Sequence, residues 1–266
     1  MQSPIFSADD FGLTVSVNEA VEQAHKHGVL TQASLMVAAP AAQDAVSRAK
    51  SLPTLHTGLH LVLVDGASLL GHAALPHITT PDGKFPQNQA ALGVKYFFSP
   101  AARRELRAEI HAQFAAYAAT GLKLHHADAH KHMHLHPTVA RLMIETGKTF
   151  GLPRIRIPAE PPATLKRLGE TPTLADRALY AWTRLLRHQA RHLATNTYVF
   201  GLKWSGHMTL PRLQALLANL PKNAESEIYF HPATTRDAAL KQLMPDYEHE
   251  AEFQALLALK PSPAKP

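Results

Sequence analysis

Between His125 and Pro137 the chain reads His-His-Ala-Asp-Ala-His-Lys-His-Met-His-Leu-His-Pro, which places six of its 18 histidines in thirteen residues. A neutral imidazole is the commonest protein ligand for a borderline divalent metal, and a nearby carboxylate either binds the metal or orients a ligand. No solvent-facing role needs imidazole at that density, so the segment reads as a site. Spacing alone does not say which of its histidines ligate. A second candidate lies far upstream, where the apolar run 4–8 stops at Asp9-Asp10-Phe11-Gly12. Two adjacent carboxylates are costly to bury without a cation or a proton. Standing at a strand end they point in different directions, so that one can bind a metal while the other faces a bound water. His60 interrupts an otherwise apolar run at 57–64, and His231 ends another that starts at Glu227. The chain has no cysteine, so any metal must be held by nitrogen and oxygen.

These positions need elements to bring them together. Apolar runs read as strands at 4–8, 31–38, 57–64, 122–128, 154–158, 197–201 and 227–233. Helical patterns fall at 15–27, 41–51, 100–119, 176–194 and 210–220, and another starts at Pro137, a residue suited to the first helical position. If residues 128–136 were extended, Asp128 and His130, His132, His134 and His136 would share one face. Residues 65–98 show no clean period and read as a long loop, of the kind that encloses a substrate. About seven strands alternating with helices argue a parallel sheet rolled into a TIM-like (β/α) barrel, distorted or incompletely closed. In such a barrel the strand ends that carry Asp9, Asp10, His60, Asp128, His130 and His231 share one rim. A single domain over 1–259 is expected, followed by a disordered tail at 260–266.

With 266 residues, 45% of them apolar and 18% charged, the composition is that of an ordinary globular protein. No apolar run is long enough to cross a membrane, and the first residues lack the layout of a signal peptide. Together with the absent cysteines this leads to an expectation of a cytoplasmic protein. The net charge of +6 suits an anionic partner. No nucleic-acid motif is present, and Asp9-Asp10 would repel phosphate, so nucleic acid is not expected as a partner. Arg177, Arg184, Arg187 and Arg191 decorate an amphipathic helix, which reads either as an outer helix of the domain or as one that rests on the inner face of an anionic membrane.

Ala8-Asp9-Asp10-Phe11-Gly12, Gly58-Leu59-His60-Leu61, Asp128-Ala129-His130-Lys131-His132-Met133-His134 and His231-Pro232-Ala233 occur in the order seen in the YdjC-like carbohydrate deacetylases, which the chain resembles to about residue 235. Stretches 33–37, 58–66 and 129–139 are similar to the hopanoid-biosynthesis-associated branch, HpnK. The resemblance implies a (β/α) barrel, one divalent metal (Zn or Mg before Mn or Co) on Asp10, His60 and His130, Asp9 as general base and His231 as the acid or oxyanion partner. It also implies hydrolysis of the acetamide of an N-acetylglucosamine-type sugar carried on a hopanoid glycolipid, with soluble chito-oligosaccharides or a phosphoesterase on the same barrel as alternatives. Ala129 and Lys131 depart from the family's usual Asp-Ser-His-His-His pattern, which bears on hydrogen bonding behind the ligands and on substrate choice. Arg156 reads either as orienting Asp9 or as a structural ion pair, and Asp128, His132 and His134 are expected to meet the substrate. The partners expected are the N-acetylated sugar, a membrane surface met peripherally, and a second copy of the chain in a homodimer.

Overall fold

The computed structural model describes residues 3–259; the tail expected to be disordered lies outside them. The chain opens with β1 (Ile5–Phe11), α1 (Val15–His27), β2 (Gln32–Leu35), α2 (Ala42–Lys50) and β3 (His56–Leu61). A hairpin of β4 (Gly66–Ala67) and β5 (Lys84–Phe85) then leads to α3 (Gln89–Phe98) and α4 (Pro100–Ala119). β6 (Ala127–Ala129) is followed by a 3-10 segment, His130–Leu135, and by α5 (Pro137–Thr149). Next come β7 (Arg154–Ile155), α6 (Pro162–Arg167), α7 (Leu174–Gln189), β8 (Ala194–Thr195), β9 (Tyr198–Phe200) and α8 (Leu210–Asn219). β10 (Ser226–Phe230), α9 (Ala238–Leu243) and α10 (His249–Ala258) complete the order.

The eight strands β8-β7-β6-β3-β2-β1-β10-β9 form one sheet in that spatial order, every pairing parallel. Its two outermost strands are successive pieces of one stretch of chain: β8 pairs with β7, and three residues on β9 pairs with β10. The curl thereby returns on itself. At the break the Asn196 side chain accepts from the Ile157 N–H at 2.8 Å and donates to the Ile157 carbonyl at 2.8 Å, and the Val199 N–H donates to the Ala159 carbonyl. The distorted barrel of parallel strands expected from the sequence is observed, with a strand interrupted at Asn196 as its distortion.

Strand alternation sorts residues into two populations. Phe6, Ala8, Ile228 and Phe230 point outward into the apolar layer beneath the helices. Ser7, Asp9, Ser34, His60, Asp128, Arg156 and Glu227 bond to one another across the lumen. Helix starts follow local chemistry. Thr14 caps α1 through its hydroxyl, so neither acid of the Asp9–Asp10 pair serves as that cap; proline opens α4 and α5; and Thr173 with Asp176 forms a capping box on α7.

Several expectations differ. The strand read at 122–128 forms only at Ala127–Ala129, so Asp128 is its middle residue rather than at or just past its end. Residues 65–98 are not a loop throughout, because α3 takes the last ten. Residues 130–136 do not extend: Lys131 and His132 are left-handed, at φ 50° and 52°, and the segment coils tightly, so its alternate histidines share no face. Arg187 turns inward onto the hydroxyl of Thr195 and the carbonyls of Asn196 and Thr197, which removes it from the outer basic face of α7. Among the described residues no helix is long and apolar enough to cross a membrane.

Candidate active site

β1 runs straight through both acids, but its register with β2 shifts between Ala8 and Phe11. Asp10 sits at φ 60° inside that bulge, a conformation costing on the order of 1–3 kcal/mol for a non-glycine residue. Strict alternation would send neighbours to opposite faces; the bulge lets both carboxylates enter the barrel mouth and then diverge. Asp9 goes to Arg156, whose Nη1 lies 2.8 Å from each of its oxygens. Asp10 goes to the histidines, its Oδ1 being 3.4 Å from His60 Nε2 and 3.2 Å from His130 Nδ1. Asp10, His60 and His130 each offer one ligand atom, all within 4.8 Å of one another.

His60 is buried on β3, and its Nδ1 lies 2.7 Å from Asp128 Oδ1. Burial by itself lowers its pKa, but the charges of Asp128, Asp10 and Asp9 overcome this and push it up to about 10. Burial likewise raises Asp10, and His130 and His60 outweigh it to hold that carboxylate well below its usual range. Asp9 is raised, burial prevailing over the attraction of Arg156. The lumen holds four buried carboxylates and one guanidinium: Asp9, Asp128 and Glu227 contact Arg156, and Asp10 faces the histidines instead. Asp10 Oδ2 is buried with no hydrogen-bond partner. An excess of buried negative charge, an orphaned carboxylate oxygen and two imidazoles beside it fit a divalent cation with mixed N and O ligands. A second grouping, Asp9, His60 and Asp128, also lies within 4.8 Å, but Asp9 and Asp128 already hold Arg156, at 2.8 Å and 2.6 Å.

Arg156 is 1% exposed and stands over the Tyr229 ring at 5.5 Å while bonding Asp9, Asp128 and Glu227. His231 follows β10; its backbone N–H donates to Glu252, and its ring lies 5.0 Å from that of Tyr247. The His231 Nδ1 is buried without a partner. His132 reaches the mouth, its Nε2 3.2 Å from the Tyr229 hydroxyl. Asp128 and His134 do not meet the expectation of substrate contact. Both are 0% exposed; Asp128 has partners on both oxygens, and His134 Nε2 donates to the Arg156 carbonyl at 3.0 Å. Tyr229, Tyr247, Glu227, Glu252 and Ser34 escaped the sequence reading. Period-two reading of the last strand puts Glu227, Tyr229 and His231 on one face and would have found two of these, Glu227 and Tyr229.

Beside the mouth, a cavity of about 680 Å³ runs between α3 and α7. Its walls carry Val94, Phe97, Phe98 and Trp182, exposed by 60%, 50%, 71% and 48%, and its floor is Lys131, His132 and Leu135. The Trp182 Nε1–H donates to the Leu135 carbonyl at 2.8 Å and fixes α7 to that floor. His132 borders both the groove and the mouth.

A carbohydrate deacetylase of Brevibacillus brevis is 36% identical over 154 residues, covering 58% of each chain. One from Vibrio cholerae is 38% identical over 149 residues, covering 56% of each. The chain thus spans little more than half the length of these curated relatives. The crystal structure of an Enterococcus faecalis protein, described as a candidate cellobiose-phosphate cleavage protein, superimposes with a TM-score of 0.73 at 22% identity over 95% of this chain and 89% of that one, which is a likeness of fold. The family model for YdjC-like proteins matches residues 5–260, and the chain belongs to that family.

Proposed function

We propose that this protein is a metal-dependent N-deacetylase that hydrolyses the acetamide of an N-acetylglucosamine-type sugar, and that it belongs to the hopanoid-biosynthesis-associated HpnK branch, with the sugar carried on a hopanoid glycolipid. The observation that carries the reading is the convergence of Asp10, His60 and His130 on one point of the mouth, with Asp9 held by Arg156 and His231 beside Tyr229. Asp10, His60 and His130 would hold a divalent cation, which would supply Lewis acidity for the acetyl carbonyl and for a water. Asp9, aligned by Arg156, takes the proton of the attacking water. His231 gives a proton to the departing amine as the C–N bond breaks, so that one water yields acetate and a free amino sugar. Tyr229 and His132 border the space for the sugar ring.

The lipid carrier is supported by the apolar groove beside the mouth, which a soluble sugar would leave wet. Peripheral contact with an anionic membrane, through the arginines left on the outer face of α7, and a cytoplasmic location belong to the same proposal. The phosphoesterase alternative would call for a second cation, and the Asp9–His60–Asp128 group could take one only by displacing Arg156. The test offers zinc-loaded protein an N-acetylglucosaminyl hopanoid lipid and, separately, chitobiose, and measures acetate. Acetate from the lipid, with one metal per chain, is expected. Phe98→Ser should raise KM for the lipid and not for chitobiose. Equal turnover of both by wild type and variant alike would reject the lipid carrier, and no acetate from either would reject the deacetylase.

A further inference from the structure

A line of hydrogen bonds crosses the barrel from its opposite end to the candidate metal ligands. His125, just ahead of β6, is stacked on His56 with ring centroids 4.3 Å apart, and its Nδ1 lies 3.2 Å from His126 Nδ1. The His126 Nε2 is 3.0 Å from Ser34 Oγ, and Ser34 Oγ is 2.9 Å from Asp128 Oδ2. Asp128 Oδ1 is 2.7 Å from His60 Nδ1, which leaves His60 Nε2 facing Asp10. Ser34 and His126 are 0% and 2% exposed. The His126 ring lies so close over Gly58 that a Cβ there would meet it at 2.5 Å, so the ring has one place to be.

The direction of each bond follows from what each group can give. Asp128 Oδ2 is paired with the Arg156 guanidinium at 2.6 Å, and a carboxylate so paired is ionised and only accepts. Ser34 has one hydroxyl hydrogen, and the contact with Asp128 consumes it. Ser34 must then accept from His126, so the His126 proton sits on Nε2 and its bare Nδ1 accepts from the His125 Nδ1–H. Burial pushes the His126 pKa down to about 3, in keeping with a ring that carries one proton. On the other side, Asp128 Oδ2 is filled by Ser34 and by Arg156 Nη1 at 2.6 Å. Oδ1 is left to accept the His60 Nδ1–H.

We infer that Ser34 and His126 are positioning residues for the metal site: the polarity of the chain they complete places the His60 proton on Nδ1 and offers the Nε2 lone pair to the cation. The inference rests on the metal-site reading above. Partners behind a ligating imidazole set its tautomer and orientation, and losing one weakens metal binding by about 10–100-fold.

Two measurements test it on the intact protein. Long-range ¹H–¹⁵N correlation spectra of histidine-labelled, zinc-loaded wild type, with the His126 signals identified by their loss in His126→Gln, should show His126 protonated at Nε2 and His60 at Nδ1. His126 protonated at Nδ1 overturns the inference whatever the zinc affinities of the variants. Competition titration should show Ser34→Ala binding zinc about 10–100-fold more weakly than wild type. His126→Leu should fall in the same direction, and His126→Gln, which restores an Nε2 donor, should recover most of the affinity. Wild-type affinity in Ser34→Ala overturns the inference and leaves the metal site standing. A wild type that binds no zinc removes the metal site itself, and shows it before any substitution is made.

Discussion

Gly58→Ala measures how tightly the lumen is built. The added Cβ would stand 2.5 Å from two atoms of the His126 ring and 2.6 Å from a third, where carbon contacts settle at about 3.5–4.0 Å. The ring must therefore shift by about 1 Å, and it is tethered at both nitrogens, to His125 and to Ser34. Overpacking of a filled core costs about 1–3 kcal/mol, and two hydrogen bonds add about 1 kcal/mol each. Gly→Ala returns about 0.4–1 kcal/mol through the unfolded chain. The net loss is roughly 2–4 kcal/mol, a fall in Tm of roughly 5–15 °C for a chain of this size. The assay is a thermal double-mutant cycle of wild type, Gly58→Ala, His126→Ala and the pair. Because His126→Ala opens the space the new methyl needs, the pair should be less destabilised than the sum of the singles by about 1–3 kcal/mol. Effects that add within about 0.5 kcal/mol would show that the ring does not constrain position 58, and would refute the reasoning.

Asp9→Asn should abolish acetate release and keep about one zinc per chain by atomic absorption, whereas His130→Ala should lose both; metal loss in Asp9→Asn would reassign Asp9 as a ligand. Glu160 carries a pH dependence of stability. Burial lifts its pKa from 4.5 to about 7, against hydrogen bonds from the Gly201 and Lys203 N–H groups. The native chain therefore keeps a proton that the unfolded chain has released, and stability declines as pH rises from 4.5 to about 7. Urea titrations across that window should show the decline in wild type and a flatter profile in Glu160→Gln; parallel profiles would refute the assignment.

The chemistry-bearing residues were legible because their types are improbable where they stand. Two acids ending an apolar run, a histidine inside another and six histidines in thirteen residues need no partner in view to be noticed. Strand and helix order was readable from period, and proline marked the starts of α4 and α5. Conformations that break the period were not. Nothing in Ala8-Asp9-Asp10-Phe11 announces a left-handed Asp10, and the alternation of histidines from His130 argues for extension when Lys131 and His132 turn the other way. Pairings across long separations were equally hidden: Ser34 meets Asp128 across 94 residues and Arg156 meets Asp9 across 147. Ser34, one small polar residue in an apolar strand, has no local signal at all. Glu252 lies on α10, a helix absent from the sequence reading, and it matters only because that helix folds back beneath His231.

The interruption at Asn196 gives the cylinder a hinge pin. Elsewhere neighbouring staves are fastened by main-chain ladders. At this one joint much of the fastening is a carboxamide, which both gives and takes a hydrogen bond with Ile157. An aspartate there would keep the shape and lose the giving half, leaving an oxygen turned against a carbonyl. The ring would then loosen at that joint first, beside the segment that delivers Arg156 to the mouth, with the Val199–Ala159 bond left to hold it.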